Sequence, residues 1–102
     1  MSLTLVITRD VQPRYRGFLG SVMLELAPGV YVSPRMSGRV RERVLDVIAD
    51  WHATLGQGSI VMVWRAKSKL GGIEMRLFGE APKEIIEADG LLITRRPISA
   101  KS

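Results

Sequence analysis

The chain of 102 residues has no cysteine and a single histidine, His52. The missing thiols exclude disulfide frameworks, thiol catalysis and cysteine-based zinc or iron–sulfur sites. A nucleophile–histidine–acid triad would depend on His52 alone. A lone histidine near a helix end, here between Trp51 and Ala53, is more often structural than catalytic. The absences therefore argue against thiol-based and triad-based enzyme classes.

Long apolar runs are also missing. The N-terminal run, residues 3–7, is too short for a signal sequence or a membrane span, and no basic stretch precedes it. We therefore expect a soluble, cytoplasmic protein with no membrane partner.

Positive charge is abundant and unevenly distributed. Lysine and arginine number 15 against 10 acidic residues, a net charge of +5, and eleven of the cations are arginine. Residues 1–43 carry seven arginines against three acids, whereas residues 74–89 are net acidic. Arginine suits bidentate phosphate contacts better than lysine does. The composition thus favours a polyanionic partner, most plausibly nucleic acid.

Hydrophobic patterning predicts alternating strands and helices. Residues 3–8 form an apolar, β-branched run without clean alternation, which is typical of a strand buried on both faces. A first helix begins at Pro13 and ends before Pro28, and a second extends from a capping Ser37 to a stop at Gly56. The other predicted strands cover residues 29–32, 60–65, 73–78 and 91–95.

Each predicted helix carries one apolar face. The first face consists of Tyr15, Phe18, Leu19, Val22, Met23 and Leu26, and the second of Val40, Val44, Val47, Ile48, Trp51 and Leu55. Two such helices can share one sheet face, so the sequence predicts an α+β fold. The simplest version is a ferredoxin-like two-layer sandwich, with two helices on one face of a mainly antiparallel sheet. Residues 1–80 would form this ferredoxin-like domain. Residues 81–102 would be a C-terminal extension of the same single domain, with an extra strand at 91–95 available for pairing across a subunit edge.

Asp10 is the first candidate for chemistry, because it lies just past the first strand. A carboxylate there can ligate Mg²⁺, but one carboxylate is too few for a metal-assisted hydrolase. A two-fold dimer would supply a second copy. The competing interpretation is that Asp10 caps the following helix.

Two groups of arginines are candidate phosphate contacts. Arg14 and Arg16 fall in the first turn of the first helix, where unpaired backbone N–H groups attract anions. They form either a phosphate clamp or an ordinary solvated or ion-paired face. The second group, at the start of the second helix, is Arg35, Arg39, Arg41 and Arg43. Arg43 has Asp46 and Asp50 within helical reach, whereas Arg39 has no acid three or four residues on and is the freer member.

Aromatic residues give a weaker signal. Trp51 and Trp64 fall on apolar faces and are expected in the core, as is Tyr15. A generic RNA-binding module of this fold would instead need Trp64 and Phe78 exposed on the sheet for base stacking.

The order and spacing of several short segments resemble one known family. Leu5-Val6-Ile7-Thr8, Pro13-Arg14-Tyr15-Arg16-Gly17, Gly29-Val30-Tyr31-Val32, Val61-Met62-Val63-Trp64, Phe78-Gly79 and Asp89-Gly90-Leu91 resemble the small CRISPR adaptation protein, the Cas-two family, in its type I-E branch. The resemblance covers nearly the whole chain, and it rests on the set of segments, since no single one is diagnostic.

The resemblance implies a symmetric homodimer that bridges two dimers of the CRISPR integrase, the Cas-one protein. The assembly captures a short double-stranded DNA and inserts it as a new spacer. The small subunit then acts as a DNA platform that needs no cofactor, while the integrase performs strand transfer.

Carried over residue by residue, the resemblance assigns DNA binding to Arg14, Arg16, Arg39 and Lys83. It assigns docking on the integrase to the last strand, Leu91, Leu92, Ile93, Thr94 and Arg95. The family is also associated with a metal-dependent nuclease, which uses an acid at the end of the first strand. Here Arg9 occupies that position in the type I-E pattern, and the carboxylate is displaced to Asp10. The alternative function is therefore a Mg²⁺-dependent endonuclease with Asp10 paired across the dimer as catalytic and metal-binding residue.

Overall fold

The structure is a computed structural model that describes residues 2–67, 69–79, 84–88 and 91–95, the last two segments as backbone. The strands are β1 (Ser2–Arg9), β2 (Leu24–Ala27), β3 (Val30–Met36), β4 (Ser59–Arg65), β5 (Ile73–Phe78), β6 (Glu84–Ala88) and β7 (Leu91–Arg95). The helices are α1 (Pro13–Val22) and α2 (Gly38–Leu55), and a short 3-10 turn, Leu70–Gly72, precedes β5.

The first five strands form one antiparallel sheet in the order β2-β3-β1-β4-β5. The chain order β1-α1-β2-β3-α2-β4 with this strand order is the ferredoxin-like arrangement, and β5 extends it by one strand next to β4. The predicted α+β, two-layer fold is confirmed. β6 and β7 pair only with each other in the described residues, from Glu84 opposite Arg95 to Ala88 opposite Leu91.

The core lies between the two helices and one face of the sheet. Its fully buried side chains come from every layer and are Val6, Tyr15, Leu19, Tyr31, Val44, Ile48, Ile60 and Met62. Their alternation along β1 and β4 follows from the two-residue period of a strand. The same period sends the intervening apolar side chains to the opposite face.

That opposite face is not covered by any helix in the described residues. The prediction that the first strand is buried on both faces is wrong, because Thr4 and Val6 are buried while Leu3 and Ile7 are exposed. The cross-strand register brings further apolar residues to this side, and we call the set the open face: Leu3, Leu5, Ile7, Leu24, Val32, Val61, Val63, Met75 and Leu77.

The first helix is shorter than predicted. It ends at Val22; Met23 has an extended backbone, and β2 begins at the next residue, Leu24. Leu26, predicted on the helical stripe, lies exposed in this edge strand together with Leu24. The apolar spacing between Val22 and Leu26 fits a strand as well as a helix, because Glu25 separates two leucines.

The second helix has the predicted extent, and its predicted inner face is confirmed at Val44, Ile48, Trp51 and Leu55. Ser37 caps it by accepting a hydrogen bond from the Val40 amide at 3.2 Å, and Gly56 ends it in a left-handed conformation. Its buried residues are Val44, Leu45 and Ile48, whereas Val40, predicted on the inner face, is exposed.

The C-terminal extension contains one strand more than predicted. Residues 84–88, for which the sequence predicted no strand, form β6, and β7 has the predicted bounds. The boundary between residues 80 and 81 stays a prediction.

Candidate nucleic-acid interface

The start of α1 is held against the end of α2. The side chain of Gln57 accepts a hydrogen bond from Gln12 Nε2 at 2.7 Å and donates one to the Asp10 carbonyl at 2.9 Å. Pro13 occupies the first helical position, where its missing N–H costs nothing. These contacts fix the direction in which the first turn of α1 presents its side chains.

Arg14 and Arg16 leave this turn on different sides. Successive helical residues are about 100° apart, so residues two positions apart diverge by roughly 200°. Tyr15, between them, points inward and is only 1% exposed. The structure therefore brings the two arginines to the same turn but does not converge them on one point.

Arg14 lies over an aromatic platform. Its Cζ is 5.1 Å from the centre of the Trp51 ring. That ring is itself held edge-on by Tyr15 at 5.2 Å and by Phe18 at 5.5 Å between ring centres. A guanidinium stacked on a ring keeps its N–H edge for anions, since stacking uses only the flat face.

Arg16 is directed to the neighbouring strand β2. Its Nε is 3.3 Å from Oε1 of Glu25, and the arginine side chain is 75% exposed. An ion pair this exposed contributes little stability, and it engages one of the five donor hydrogens of the guanidinium. Arg16 thus has an acidic neighbour in the structure, and its contact with phosphate stays a prediction.

Glu25 lies opposite Tyr31 in the β2–β3 pairing. Burial raises the pKa of Tyr31, the Glu25 carboxylate raises it further, and Arg16 lowers it. The raised pKa keeps the Tyr31 hydroxyl neutral at physiological pH.

Arg39 stands at the other end of the helical layer. It lies exposed in the first turn of α2, twelve residues before Trp51, a distance of about 18 Å along the helix at 1.5 Å per residue. It has no ion-pair partner among the described residues. The predicted phosphate contacts therefore lie near the two ends of α2, with Arg39 in its first turn and Arg14 over Trp51 toward its last turn.

The other arginines of the second group do not act as one cluster. Arg41 turns toward the sheet and lies over Trp64, with its Cζ 4.8 Å from the ring centre. Arg43 is exposed, and in the described residues it pairs with neither Asp46 nor Asp50.

Asp10 does not cap α1, so that interpretation is wrong. The N-cap residue is Gln12, and no side chain makes the capping hydrogen bond. Asp10 is exposed at a bend, with a positive φ of 56°, directly after Arg9. Among the described residues, no group of three or more histidines or acids is placed to hold a metal ion. One exposed carboxylate beside a cation does not fit Mg²⁺ within a single chain.

One known protein family matches most of the chain. The model of a CRISPR-associated protein (Cas_Cas2CT1978) matches residues 3–93. The chain belongs to this family.

Membership of this CRISPR-associated, Cas2-like family confirms the resemblance found in the short segments. The match extends over Arg14, Arg16 and Arg39, and over position 83 as well. Lys83 itself lies outside the described residues. The type I-E branch and the role of each arginine stay predictions.

The remaining side chains of this CRISPR-associated protein separate it from a generic RNA-binding module. Trp64 is only 6% exposed and belongs to the core, so it cannot serve as a base-stacking platform. His52 has its Nε2 3.2 Å from the Gly58 carbonyl oxygen, which confirms a structural role. Trp51 packs at the edge of the core rather than inside it.

Two partners of the arginines were not recognised in the sequence. Trp51 lies 37 positions from Arg14 in the chain, and Glu25 lies nine positions from Arg16 in another element. No periodicity marks such contacts, because they arise only when α1 packs against α2 and β2.

None of the helices in the described parts of the chain is long and apolar enough to cross a membrane.

Proposed function

We propose that this protein is the small homodimeric subunit of a CRISPR spacer-acquisition complex. It binds the captured DNA duplex through arginines and bridges dimers of the integrase, the Cas-one protein. It acts in the cytoplasm as a scaffold and needs no cofactor for that role.

The observation that carries the proposal is the presentation of Arg14 and Arg16. Both are exposed on the first turn of α1, and both are held in place, one by Trp51 and the other by Glu25. Anchored cations lose less side-chain freedom when they bind phosphate than freely rotating ones do. Together with Arg39 they give a sequence-independent duplex contact along the helical layer.

The open face supports the homodimer. It carries exposed Leu3, Ile7, Leu24 and Leu77 on a sheet side that no described helix covers. A contiguous apolar surface of this kind is typical of a protein–protein contact. A second copy of the same face provides an apolar partner in a two-fold arrangement.

The β6–β7 hairpin supports the contact with the integrase. In the described residues its strands pair only with each other, so an edge of the hairpin stays available for a strand of another chain. In the proposed role, the strand from Leu91 to Arg95 makes the contact.

A spacer-integration assay with the cognate integrase tests the proposal, comparing the wild type with Asp10→Ala. We expect full integration by the variant, because a scaffold needs no metal-bound carboxylate. The alternative, a Mg²⁺-dependent endonuclease with Asp10 paired across the dimer, predicts loss of activity with dimerisation and DNA binding intact. Arg14→Ala combined with Arg16→Ala shows whether the assay detects a loss of function, and we expect this variant to abolish integration.

A further inference from the structure

A second basic site lies at the opposite end of the molecule from Arg14. It is a groove of about 580 Å³ between the start of α2, the start of β1 and the end of β4. Its charged lining residues are Arg41, Arg65, Lys67 and Glu74, and Trp64 and Gly38 also line it.

Arg41 is held rigidly in this groove. Its guanidinium is stacked on the Trp64 ring at 4.8 Å, and its Nη1 donates to Ser2 Oγ at 3.4 Å. Its Nε is buried and has no hydrogen-bond acceptor among the described residues. A buried charged donor without an acceptor is unfavourable, so negative charge placed beside the guanidinium is stabilising even without a direct bond to Nε.

The surrounding charge has the same sign. Arg65 and Lys67 are exposed at the rim, and Glu74, the one acid of the lining, has Lys69 at 4.0 Å from its carboxylate. The first residue of α2, Gly38, also lines the groove, and the N-terminal end of an 18-residue helix adds a positive partial charge.

We infer that this groove binds a phosphodiester group of nucleic acid. Arg41 supplies a fixed, planar donor from the floor, and Arg65 and Lys67 supply charge from the rim. The inference rests on the proposed function and extends its DNA contact. Arg39 lies two residues before Arg41 in the first turn of α2, so both arginines are near the same end of this helix, although they point to different sides of it.

The spacing is compatible with one duplex. Arg41 precedes Trp51, the platform of Arg14, by ten residues, which is about 15 Å along α2. At 3.4 Å per base pair, this distance corresponds to about four to five base pairs. The axial distance between the two sites is therefore short enough for a single duplex to span.

Duplex binding by the full-length protein tests the inference. The variant is Arg65→Ala with Lys67→Ala, in which both changes are at exposed positions. The matched control is Arg43→Ala with Arg76→Ala, which removes the same charge at exposed positions outside the groove. We expect the first variant to lower the slope of log affinity against log salt by about one unit per lost contact, and the control to leave the slope unchanged.

A spectroscopic readout reports on the floor of the groove. In a nitrogen-15 spectrum, the Nε–H resonance of Arg41, assigned by its absence in Arg41→Lys, should shift when the duplex or inorganic phosphate is added. The indole resonance of Trp64 should move with it.

The outcomes separate the two proposals. In one outcome, Arg14→Ala with Arg16→Ala lowers the salt slope, the groove variant does not, and the Nε–H resonance of Arg41 does not shift. The inference is then overturned and the proposed function stands. If Arg41 responds to the integrase and not to DNA, the groove is a protein-docking site, and the phosphate assignment is overturned. If the wild type binds no duplex, the proposed function and this extension of it both fail.

Discussion

Arg14 and Arg16 share the first turn of α1, and each has a neighbouring side chain, Trp51 or Glu25. Replacing both with alanine removes the two proposed phosphate contacts per chain. We expect duplex affinity to fall for all sequences alike, with the salt slope reduced by about one unit per lost contact. Fluorescence anisotropy at several salt concentrations measures the duplex affinity and its salt slope.

A control with the same loss of charge isolates the effect. Arg43→Ala with Arg76→Ala removes two exposed arginines outside the proposed contacts. An equal change of slope in the control would mean that net charge alone governs binding, and the assignment to Arg14 and Arg16 would be wrong.

Tyr15 gives a prediction for stability. Its hydroxyl is buried without a hydrogen-bond partner in the described residues. Burial raises the pKa of Tyr15, and Arg14 partly opposes the change. Because Phe has the same ring without the unsatisfied group, we expect Tyr15→Phe to increase the free energy of unfolding by about 1 kcal/mol at neutral pH.

The stability advantage of Tyr15→Phe over the wild type depends on pH, and the direction of the change is fixed. In the unfolded chain the phenol ionises near its ordinary pKa of 10.0, whereas the folded phenol stays neutral to higher pH. Ionisation of Tyr15 therefore leaves the free energy of unfolding of the wild type unchanged below pH 10.0. It lowers that free energy as the pH rises from 10.0 through the raised folded pKa. Urea unfolding at about pH 8 and about pH 11 should show the advantage of Tyr15→Phe growing with pH. An advantage that stays constant would refute the proposed cause.

At the scale of the elements, Gly58 controls how the end of β1 meets the start of β4. It has a φ of +78°, and a Cβ there would collide with the carbonyl oxygens of Arg9 and Asp10. Gly58→Ala should destabilise the fold by about 1–3 kcal/mol.

Gly20→Ala is the matched control. It lies inside α1, and an added Cβ meets nothing within 4 Å. The same substitution should therefore stabilise the protein by about 0.5–1 kcal/mol. Chemical denaturation of both variants checks the pair, and two changes of the same sign would contradict the prediction.

Elements with one unambiguous period could be predicted from the sequence. α2 has a cap, a stop and an apolar stripe at helical spacing, and its extent was correct; the alternation in β4 was equally clear. β2 was missed because Leu24 and Leu26 also fit the end of a helix. β6 was missed because its residues, Glu84–Ala88, do not alternate between apolar and polar.

The candidate site was predictable only in part. Arg14, Arg16 and Arg39 were identified from charge, helix position and resemblance. Their neighbours could not be, because Trp51 and Glu25 approach through tertiary packing. Arg41 shows the same limit, since its neighbour Trp64 lies on another element.

At the scale of the whole molecule, the open face makes oligomeric state testable. Ile7 is 43% exposed at its centre, and Val40, on α2, is 41% exposed on the other side of the molecule. We expect Ile7→Glu to convert a dimer to a monomer, since it buries a charge in an apolar contact. Val40→Glu should leave the dimer intact.

Sedimentation velocity measures both variants. A wild-type protein that is monomeric at all concentrations would remove the homodimer from the proposal. Dissociation by both substitutions would place the contact elsewhere than on the open face.

The uncovered sheet side also links thermal stability to protein abundance. In the proposed homodimer, burying it between two copies would stabilise only the associated, folded chains, so by mass action the melting temperature would rise with total concentration. Dilution would then weaken the fold itself and not only the assembly. A chain produced at low level would reach its full stability only when its concentration exceeds the dissociation constant of the dimer.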